Sequence, residues 1–353
     1  MMSVSAPVRT ALSSRIPDIH FRTARRKVPA IAGIGQALIA VVALLGAGAA
    51  AATGKHVVGD WLSPVEDNWP LVAIHAVLTP DGRVLTYGSN NAGAATQQTG
   101  YFIYDVWDPS AGLSGGHTTL NNYTLTDTFC SAQVLLPDSG DVFLAGGDNW
   151  DGTTVTGAGN NNTNLFRYTD NTLTRSANMK KARWYATTTV MPNGEIYIQG
   201  GRDGGTYPEV RAADGSFRLL NNASTGGIHW WYPRNFLAPD GRVFGWDAKF
   251  GYMYYVTTAG DGSLTRVGNL PSAYTKYWSS PVMFQPGKIL QLGGASKAVG
   301  IIDINGPTPV VTATSPMSSK RKWVTATVLA DGRVLATGGS DVPNELTGVN
   351  NKA

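Results

Sequence analysis

One two-part apolar unit occurs six times between residues 55 and 353. In each copy an apolar run ends at a tight turn that reads Pro-Asp/Asn-Gly or a variant of it, and a second apolar run ends at a glycine-containing segment, which is Gly-Gly in four copies. This pattern is typical of two β-strands joined by a turn, because proline fixes φ and glycine takes the strained turn position. The six copies are Ala76–Ser89, Gln133–Asp148, Thr188–Arg202, Asn235–Ala248, Pro281–Ala295 and Ala326–Ser340.

The spacing of the copies predicts a ring of β-sheets. The turn glycines follow one another at intervals that fall from 58 to 45 residues. A period of about 50 residues with a Gly-Gly strand end is typical of the kelch type of β-propeller, in which each repeat forms one four-stranded blade. No helical periodicity competes with it. We therefore expect an all-β fold with one propeller domain over residues 55–353, and loops in polar segments such as Gly157–Asn164.

Residues 1–54 have the composition of an export signal. Arg25-Arg26-Lys27 precedes an uncharged run, Val28–Gly54, that ends in small residues. The run is also long enough for an uncleaved single-span anchor, so this alternative stays open. Positive charge before the run would place the rest of the chain outside the cytoplasm in both cases. We expect an exported protein, periplasmic or extracellular, with membrane contact only through residues 28–54.

Charge and cysteine content exclude two classes of protein. The chain has a net charge of +4, but residues 1–54 carry six basic side chains against one acid, so the remainder has a net charge of about −1. There is therefore no electrostatic case for nucleic acid as a partner. Cys130 is the only cysteine, which excludes an intramolecular disulfide framework.

Equivalent positions in the repeats should face the axis of the ring. Propellers bring the first strand of every blade to this axis, so residues at the same distance before the turn share one depth. We count back seven residues from the turn proline, or from the alanine that replaces it in the sixth copy. The second copy then gives Cys130, the third Tyr185, the fourth Tyr232 and the sixth Trp323. The fifth copy gives Trp278 or Ser279, and the first gives Ala73. Cys130 and Tyr185 stand one blade apart, so we expect them to be close.

Two motifs at these positions resemble the galactose oxidase and glyoxal oxidase family of copper radical oxidases. Phe129-Cys130 resembles the Phe-Cys of that family's second blade, and Ala182-Arg183-Trp184-Tyr185 resembles the Ala-Arg-x-Tyr of its third. In the family the cysteine and tyrosine are joined by a thioether, and the modified tyrosine binds copper and holds a radical. The resemblance implies that Cys130 and Tyr185 are this catalytic pair, with Tyr185 as a copper ligand and copper as the cofactor.

The resemblance also implies residues on the substrate side of the site. Phe129 would line the substrate pocket, Tyr232 and Arg234 resemble a stretch of the glyoxal oxidase branch, and Trp278 is a candidate for stacking on the radical tyrosine. Arg202-Asp203 stands where the galactose oxidase branch has a tryptophan, which favours the glyoxal oxidase side. The implied function is oxidation of a small aldehyde or primary alcohol by O2, with release of H2O2.

The resemblance extends from about Lys55 to the end of the sequence and implies seven blades, of which six repeats are recognisable. In the family the seventh blade begins with Tyr-His, both copper ligands, and a further C-terminal β-domain supplies a second histidine. The sequence ends at Ala353, just after the sixth repeat. We therefore expect three of the four protein ligands to be missing, and the chain to be an inactive N-terminal portion that binds copper weakly.

Other interpretations of the same residues stay open. Cys130 is also consistent with a small buried hydrophobe, and Tyr185 with aromatic filling of the axis. His75 is expected to be a satisfied interior residue, while His117 and His229 fall in predicted loops. The alternative function is a non-catalytic kelch propeller that binds carbohydrate or protein through its loops. In that case Trp150 and the Trp230-Trp231 pair, also in predicted loops, would stack on sugars.

Overall fold

Antiparallel β-sheets make up nearly all of the regular structure. The computed structural model describes residues 69–90, 103–112, 115–150 and 155–341, which contain 24 strands and one short 3₁₀ helix, Pro109–Ala111. The strands form five successive four-stranded sheets, and a sixth sheet is described by two strands. The predicted all-β fold and β-propeller architecture are confirmed, and each sheet is called a blade, numbered 1 to 6 along the chain.

The strands of each blade are hydrogen-bonded in chain order, except that blade 2 carries a separate hairpin, β7–β8, between its second and third strands. Blades 1 to 3 comprise β1 Leu71–Leu78, β2 Val84–Asn90, β3 Ile103–Trp107, β4 His117–Asn121, β5 Ala132–Leu135, β6 Val142–Ala145, β7 Asp148–Trp150, β8 Val155–Gly159, β9 Thr163–Arg167, β10 Thr172–Arg175, β11 Trp184–Val190, β12 Ile196–Arg202, β13 Glu209–Arg211 and β14 Phe217–Leu219. Blades 4 to 6 comprise β15 Arg234–Leu237, β16 Val243–Trp246, β17 Tyr252–Thr257, β18 Ser263–Asn269, β19 Ser279–Gln285, β20 Lys288–Gly293, β21 Val299–Asp303, β22 Val310–Thr314, β23 Thr325–Val328 and β24 Val334–Thr337.

The six repeated units of the sequence form the first two strands of the six blades. Their turn glycines adopt φ between 69° and 86°, which is the left-handed region that glycine enters without steric cost. The first strands of neighbouring blades also contact one another: β5 contacts β11, β11 contacts β15, and β19 contacts β23. These contacts place the first strand of the blades on the inner side, as the repeat pattern predicts.

The hydrophobic core lies between neighbouring blades, and the second strands are buried on both faces. In β6, Val142 and Leu144 pack against blade 1, whereas Phe143 and Ala145 pack against blade 3. The same holds for β16, where Val243 packs with blade 3 and Phe244 with blade 5. Burial on both faces explains why these strands are continuous apolar runs without polar alternation.

Some segments predicted as loops are strands. The predicted loop Gly157–Asn164 contains the end of β8 and the start of β9. Its glycines permit close packing: a Cβ at Gly159 would lie 2.8 Å from the amide nitrogen of Arg183. Trp150 ends β7 and His117 begins β4, so neither lies in a loop as predicted. The glycine at position 159 therefore reflects packing against blade 3, which local turn signals do not reveal.

The predicted leader, residues 1–54, lies outside the described residues. The division into residues 1–54 and 55–353 stays a prediction, as do the kelch type and the number of blades in the ring. Within the described ranges, no helix is long and apolar enough to cross a membrane.

Candidate active site

A cavity of about 860 Å³ lies where the inner ends of the blades meet. Blade 1 lines it with residues 73–75, blade 2 with 129–133, blade 3 with 185–188, and the loops before blades 4 and 6 with Trp231, Tyr232 and Trp323. Four of the site residues predicted from the sequence therefore line this cavity: Phe129, Cys130, Tyr185 and Tyr232. Trp278 and Arg234 are not among the described residues that line it.

The residues predicted to face the axis share an unusual backbone conformation. Cys130, Tyr185, Tyr232 and Trp323 have φ of 56°, 71°, 44° and 58°, in the left-handed region that non-glycine residues enter at a cost. Main-chain hydrogen bonds hold them there: Tyr185 N–H donates to the carbonyl of Cys130 at 3.1 Å, and Tyr232 N–H donates to the carbonyl of Tyr185 at 2.9 Å. Trp323 N–H donates likewise to Trp278, at 3.1 Å. The spacing of these positions is thus set by the backbone.

The thiol of Cys130 lies near two phenols. Cys130, Tyr185 and Tyr232 line the same cavity, and the thiol influences both phenols electrostatically. Cys130 is buried, and burial raises the pKa of its thiol to about 12, with the nearby charges of Asp127 and Asp148 adding to the rise. Burial also raises the pKa of both tyrosines. At neutral pH the sulfur and both phenols are therefore protonated.

Aromatic rings surround Tyr185. Trp184 lies 4.5 Å from it between ring centroids, Trp231 lies 5.3 Å away, and the ring of Tyr232 is perpendicular at 5.2 Å. Trp278 was the predicted stacking partner, but its ring contacts in the described structure are with Tyr277 and Trp323. Sequence reasoning missed Trp184 and Trp231 as neighbours, although each directly precedes an axial tyrosine.

Arg234 joins blade 4 to blade 5. Its guanidinium donates to the carbonyls of Tyr232 at 2.5 Å, Tyr277 at 2.8 Å and Ser279 at 2.9 Å. Burial lowers the pKa of Arg234 to about 10. These contacts fix the main chain at Tyr232, and the predicted substrate-binding role of Arg234 stays a prediction.

Arg183 fixes the segment that leads into Tyr185. Its side chain is fully buried, and Nε donates to Glu209 Oε1 at 2.9 Å. The remaining nitrogens donate to the carbonyls of Gly200, Gly204 and Tyr207 at 2.6 to 3.0 Å. Glu209 Oε2 accepts the amide of Lys180 at 2.7 Å. A buried ion pair with this number of additional hydrogen bonds holds its loop in one conformation.

Two buried carboxyl groups lie beside the cysteine, and sequence reasoning missed both. Asp127 accepts the amide of Phe129 at 2.9 Å, and Asp148 accepts the amide of Asn149 at 2.7 Å. Burial raises the pKa of Asp127 to about 7, with the charge of Asp148 adding to the rise, and it also raises the pKa of Asp148. Their other oxygens are buried without a hydrogen-bond partner in the described part of the chain. Asp127 stands three residues before Cys130, and Asp148 directly follows a Gly-Gly pair, which are the only signals for them.

His75 faces the cavity from blade 1. Its ring stacks on Tyr87 at 4.6 Å, and burial lowers its pKa to about 4, so the imidazole is neutral at pH 7. Its Nε2 is buried and has no hydrogen-bond partner in the described ranges. The expectation of a satisfied interior histidine stays a prediction.

The donors around the cavity fit part of a copper site. Copper(II) takes nitrogen and oxygen ligands, and the cavity offers the phenols of Tyr185 and Tyr232 and the imidazole of His75. Within the described ranges, no group of three or more His, Cys, Asp or Glu side chains could hold a metal ion. The described residues are thus suited to binding a metal through Tyr185 but do not by themselves complete a ligand set.

Comparison with known proteins relates part of the chain to a known family. Residues 113–258 match the family model described as the glyoxal oxidase N-terminus, and this segment contains the axial residues Cys130, Tyr185 and Tyr232. The matched segment, which is less than half of the chain, is thus similar to the N-terminal part of glyoxal oxidases. No curated protein sequence matches the chain.

A solved structure supports the same fold. The chain is similar to a fungal alcohol oxidase of the AA5 family, described as having catalytic diversity and solved in complex with copper, with a TM-score of 0.67 and 19% sequence identity. The similarity covers 80% of this chain and 62% of the fungal chain. The chain thus spans less than two thirds of that oxidase, and at this identity the similarity concerns the fold.

Proposed function

We propose that this chain supplies the radical-forming part of an exported copper oxidase that oxidises a small aldehyde or primary alcohol and reduces O2 to H2O2. One observation carries the proposal: Cys130 and Tyr185 line one central cavity, and the main-chain N–H of Tyr185 donates to the carbonyl of Cys130 at 3.1 Å. The family match over this segment and the copper-bound fungal relative support it.

The roles of the chain's own residues follow from their surroundings. Cys130 and Tyr185 would be joined by a thioether, and Tyr185 would offer its phenol oxygen to the metal. Copper, when bound, would supply one-electron chemistry next to this phenol. Burial and the rings of Trp184 and Trp231 would keep water from the modified tyrosine. Phe129 would line the side of the cavity from which substrate enters.

The direct test is the covalent state of Cys130. After exposure of the full chain to copper(II) and O2, we expect an intact mass lower by two hydrogen atoms and a Cys130 that no longer reacts with alkylating agents. Cys130→Ser should show neither change. An unmodified wild-type chain would contradict the proposal. Since the described donors do not complete a ligand set, we also expect weak copper binding by EPR and no sustained H2O2 release in a coupled assay.

A second candidate function is binding of carbohydrate without catalysis. The observation that favours it is a pair of indoles at the mouth of the cavity: Trp323 is 40% exposed and lies 6.0 Å from Trp231. Aromatic faces of this kind stack on apolar ligand faces. Glycan affinity in a chain whose Cys130 stays unmodified would favour this candidate over the oxidase.

A further inference from the structure

A chain of aromatic rings connects Tyr185 with the surface of the protein. The ring of Tyr185 lies 5.3 Å from that of Trp231 between centroids, and the ring of Trp231 lies 6.0 Å from that of Trp323. Trp231 is half-buried, whereas Trp323 is 40% exposed. Two steps between neighbouring rings therefore lead from the phenol in the cavity to an indole in contact with solvent.

A second series of rings ends at the same indole. Trp231 also lies 6.2 Å from Tyr277, Tyr277 lies 6.3 Å from Trp278, and Trp278 lies 6.4 Å from Trp323, all between ring centroids. Of the rings in the two series, all of which lie in the described ranges, Trp323 is the most exposed. Both series therefore reach solvent at Trp323.

Hydrogen bonds to the main chain hold these rings in place. Trp323 N–H donates to the carbonyl of Trp278 at 3.1 Å, and Trp231 N–H donates to Nδ1 of His229 at 3.2 Å. Tyrosine and tryptophan are the aromatic side chains that lose one electron most readily, and an electron passes easily between rings in contact. The rings from Tyr185 to Trp323 are thus suited to carrying single electrons.

We propose that Trp323 is the surface end of an electron-transfer path, through which a one-electron oxidant at the surface oxidises Tyr185 by way of Trp231 without entering the cavity. This inference rests on the proposed function, in which Tyr185 is the redox-active phenol. Each transfer takes one electron from Trp323, which recovers it from Trp231, and Trp231 recovers it from Tyr185.

Two such transfers account for the proposed thioether. The S–H bond of Cys130 and one ring C–H bond of Tyr185 break, and one S–C bond forms. Two protons are released to water, and two molecules of the oxidant take up one electron each. The link therefore records that electrons have left Tyr185, at a site that peptide mapping can locate.

The test measures the yield of this link in the full chain without copper. A chelator removes copper, and the oxidant is tris(bipyridine)ruthenium(III), generated from the ruthenium(II) complex by a light flash and a cobalt(III) acceptor. Intact mass gives the loss of two hydrogen atoms, and peptide mapping gives the linked residues. The same chains are treated in parallel with copper(II) and O2.

Variants at position 323 separate electron transfer from packing. Trp323→Phe keeps an aromatic ring that this oxidant does not oxidise, and Trp323→Tyr keeps one that it does oxidise. Tyr123→Phe is the control for oxidation elsewhere on the surface. Tyr123 is 83% exposed, and its hydroxyl accepts a hydrogen bond from Asn121, just after the last strand of blade 1.

With the ruthenium oxidant, we expect the wild-type chain to form the link at Tyr185 and Trp323→Phe to lose most of it. Trp323→Tyr and Tyr123→Phe should keep the wild-type yield. With copper(II) and O2, all four chains should form the link equally. A wild-type yield in Trp323→Phe with the ruthenium oxidant would overturn the path, and so would an equally low yield in Trp323→Tyr. A loss in Trp323→Phe with both reagents would overturn it too, because it would show an effect on packing.

Failure of this inference is distinguishable from failure of the proposed function. If neither reagent links Cys130 to Tyr185 in the wild-type chain, the proposed function fails and the path fails with it. If copper(II) and O2 form the link and the ruthenium oxidant does not, only the path fails. If only the ruthenium oxidant forms it, and Trp323→Phe loses it, the path is supported and the copper chemistry of the proposed function fails.

Discussion

The sulfur of Cys130 occupies a site that disfavours negative charge on every group around it. Burial raises the pKa of the thiol, of Tyr185 and of Tyr232, and it raises the pKa of Asp127 as well. The thiol is therefore not an activated nucleophile, because activated cysteines have lowered pKa values. Thiolate attack by Cys130 at neutral pH is therefore disfavoured.

The first prediction concerns the reactivity of this thiol. With a pKa of about 12, Cys130 should react with iodoacetamide far more slowly than a free cysteine at pH 8, since only the thiolate reacts. The rate should keep rising with pH through the alkaline range. Alkylation followed by mass spectrometry in the absence of copper checks this, and the chain unfolded in guanidinium should react at the ordinary rate. Fast alkylation of the folded chain at neutral pH would contradict the burial of the sulfur.

The second prediction concerns Asp127. Its pKa is raised from 3.8 to about 7 in the fold, so the folded state binds this proton more tightly than the unfolded state. The contribution of Asp127 to the free energy of unfolding is therefore largest below pH 4, falls as the pH rises to about 7, and is constant above that. The total fall is about 1.4 kcal/mol for each unit by which the pKa is raised. Asp127→Asn keeps an acceptor for the amide of Phe129 and should flatten this fall.

Urea unfolding between pH 4 and pH 8 measures the effect of Asp127→Asn. Asp331→Asn is the control, because Asp331 is exposed and hydrogen bonding by Arg333 lowers its pKa. A pH dependence that stays the same in Asp127→Asn would show that another group is responsible.

At the scale of elements, buried charge holds the segment before β11. Arg183 and Glu209 are both fully buried, and Arg183 also binds three carbonyls. The pair connects the loop that precedes Tyr185 to β13, so the position of the tyrosine depends on an interaction within its own blade. The Arg of the Ala-Arg-x-Tyr motif thus has a structural task that is separate from the chemistry of the tyrosine.

The third prediction follows from this pair. Glu209→Gln keeps the side-chain shape and removes the charge, and breaking a buried pair in this way should lower the free energy of unfolding by about 3–5 kcal/mol. Glu195→Gln is the matched control: Glu195 pairs with Arg218 at 3.2 Å near the surface, and its loss should cost less than about 1 kcal/mol. Urea unfolding measures both, and equal effects would mean that burial does not strengthen the inner pair.

At the scale of the whole molecule, the Gly-Gly strand ends bring successive blades into contact. Gly146 and Gly147 of blade 2 have positive φ, and Gly147 N–H donates to the carbonyl of Arg183 in blade 3 at 2.9 Å. Gly201 N–H donates to the carbonyl of Trp230, ahead of blade 4, at 2.8 Å. The repeated glycines thus do more than end strands, because they leave room for the axial loop of the next blade.

The fourth prediction separates backbone strain from this packing. Gly201 and Gly332 have φ of 84° and 82°, but a Cβ at Gly201 would lie 2.7 Å from Cβ of Arg183, whereas a Cβ at Gly332 would meet nothing within 4 Å. Gly332→Ala should cost about 1–2 kcal/mol from the left-handed backbone alone. Gly201→Ala should cost about 1–3 kcal/mol more, since the core there must be overpacked. Thermal or urea unfolding of both variants is the measurement, and equal losses would contradict close packing at Gly201.

The parts of the fold that depend on local turn residues could be predicted from the sequence. Glycine-containing tight turns locate the first two strands of each blade, and counting back from them brings Cys130 and Tyr185 together. Outer strands carry no such signal: β18 reads Ser-Leu-Thr-Arg-Val-Gly-Asn and is largely exposed. The burial of Asp127 and Asp148 and the packing of Trp184 on Tyr185 were also not predictable. The burial of the two carboxyl groups depends on contacts between segments far apart in the chain, and the packing of the adjacent Trp184 and Tyr185 rings depends on side-chain orientation; neither has a local sequence signal.

The links between Cys130, Tyr185 and Tyr232 run from amide to carbonyl and contain no side-chain atom. Such links are open to any residue that has a main-chain N–H, so successive blades hold these positions at a constant interval. The reactive side chain at one of these positions can therefore be exchanged while the distance to the next position stays constant. New two-residue redox pairs could therefore be installed on this scaffold by substitution alone, without rebuilding the loops that hold them.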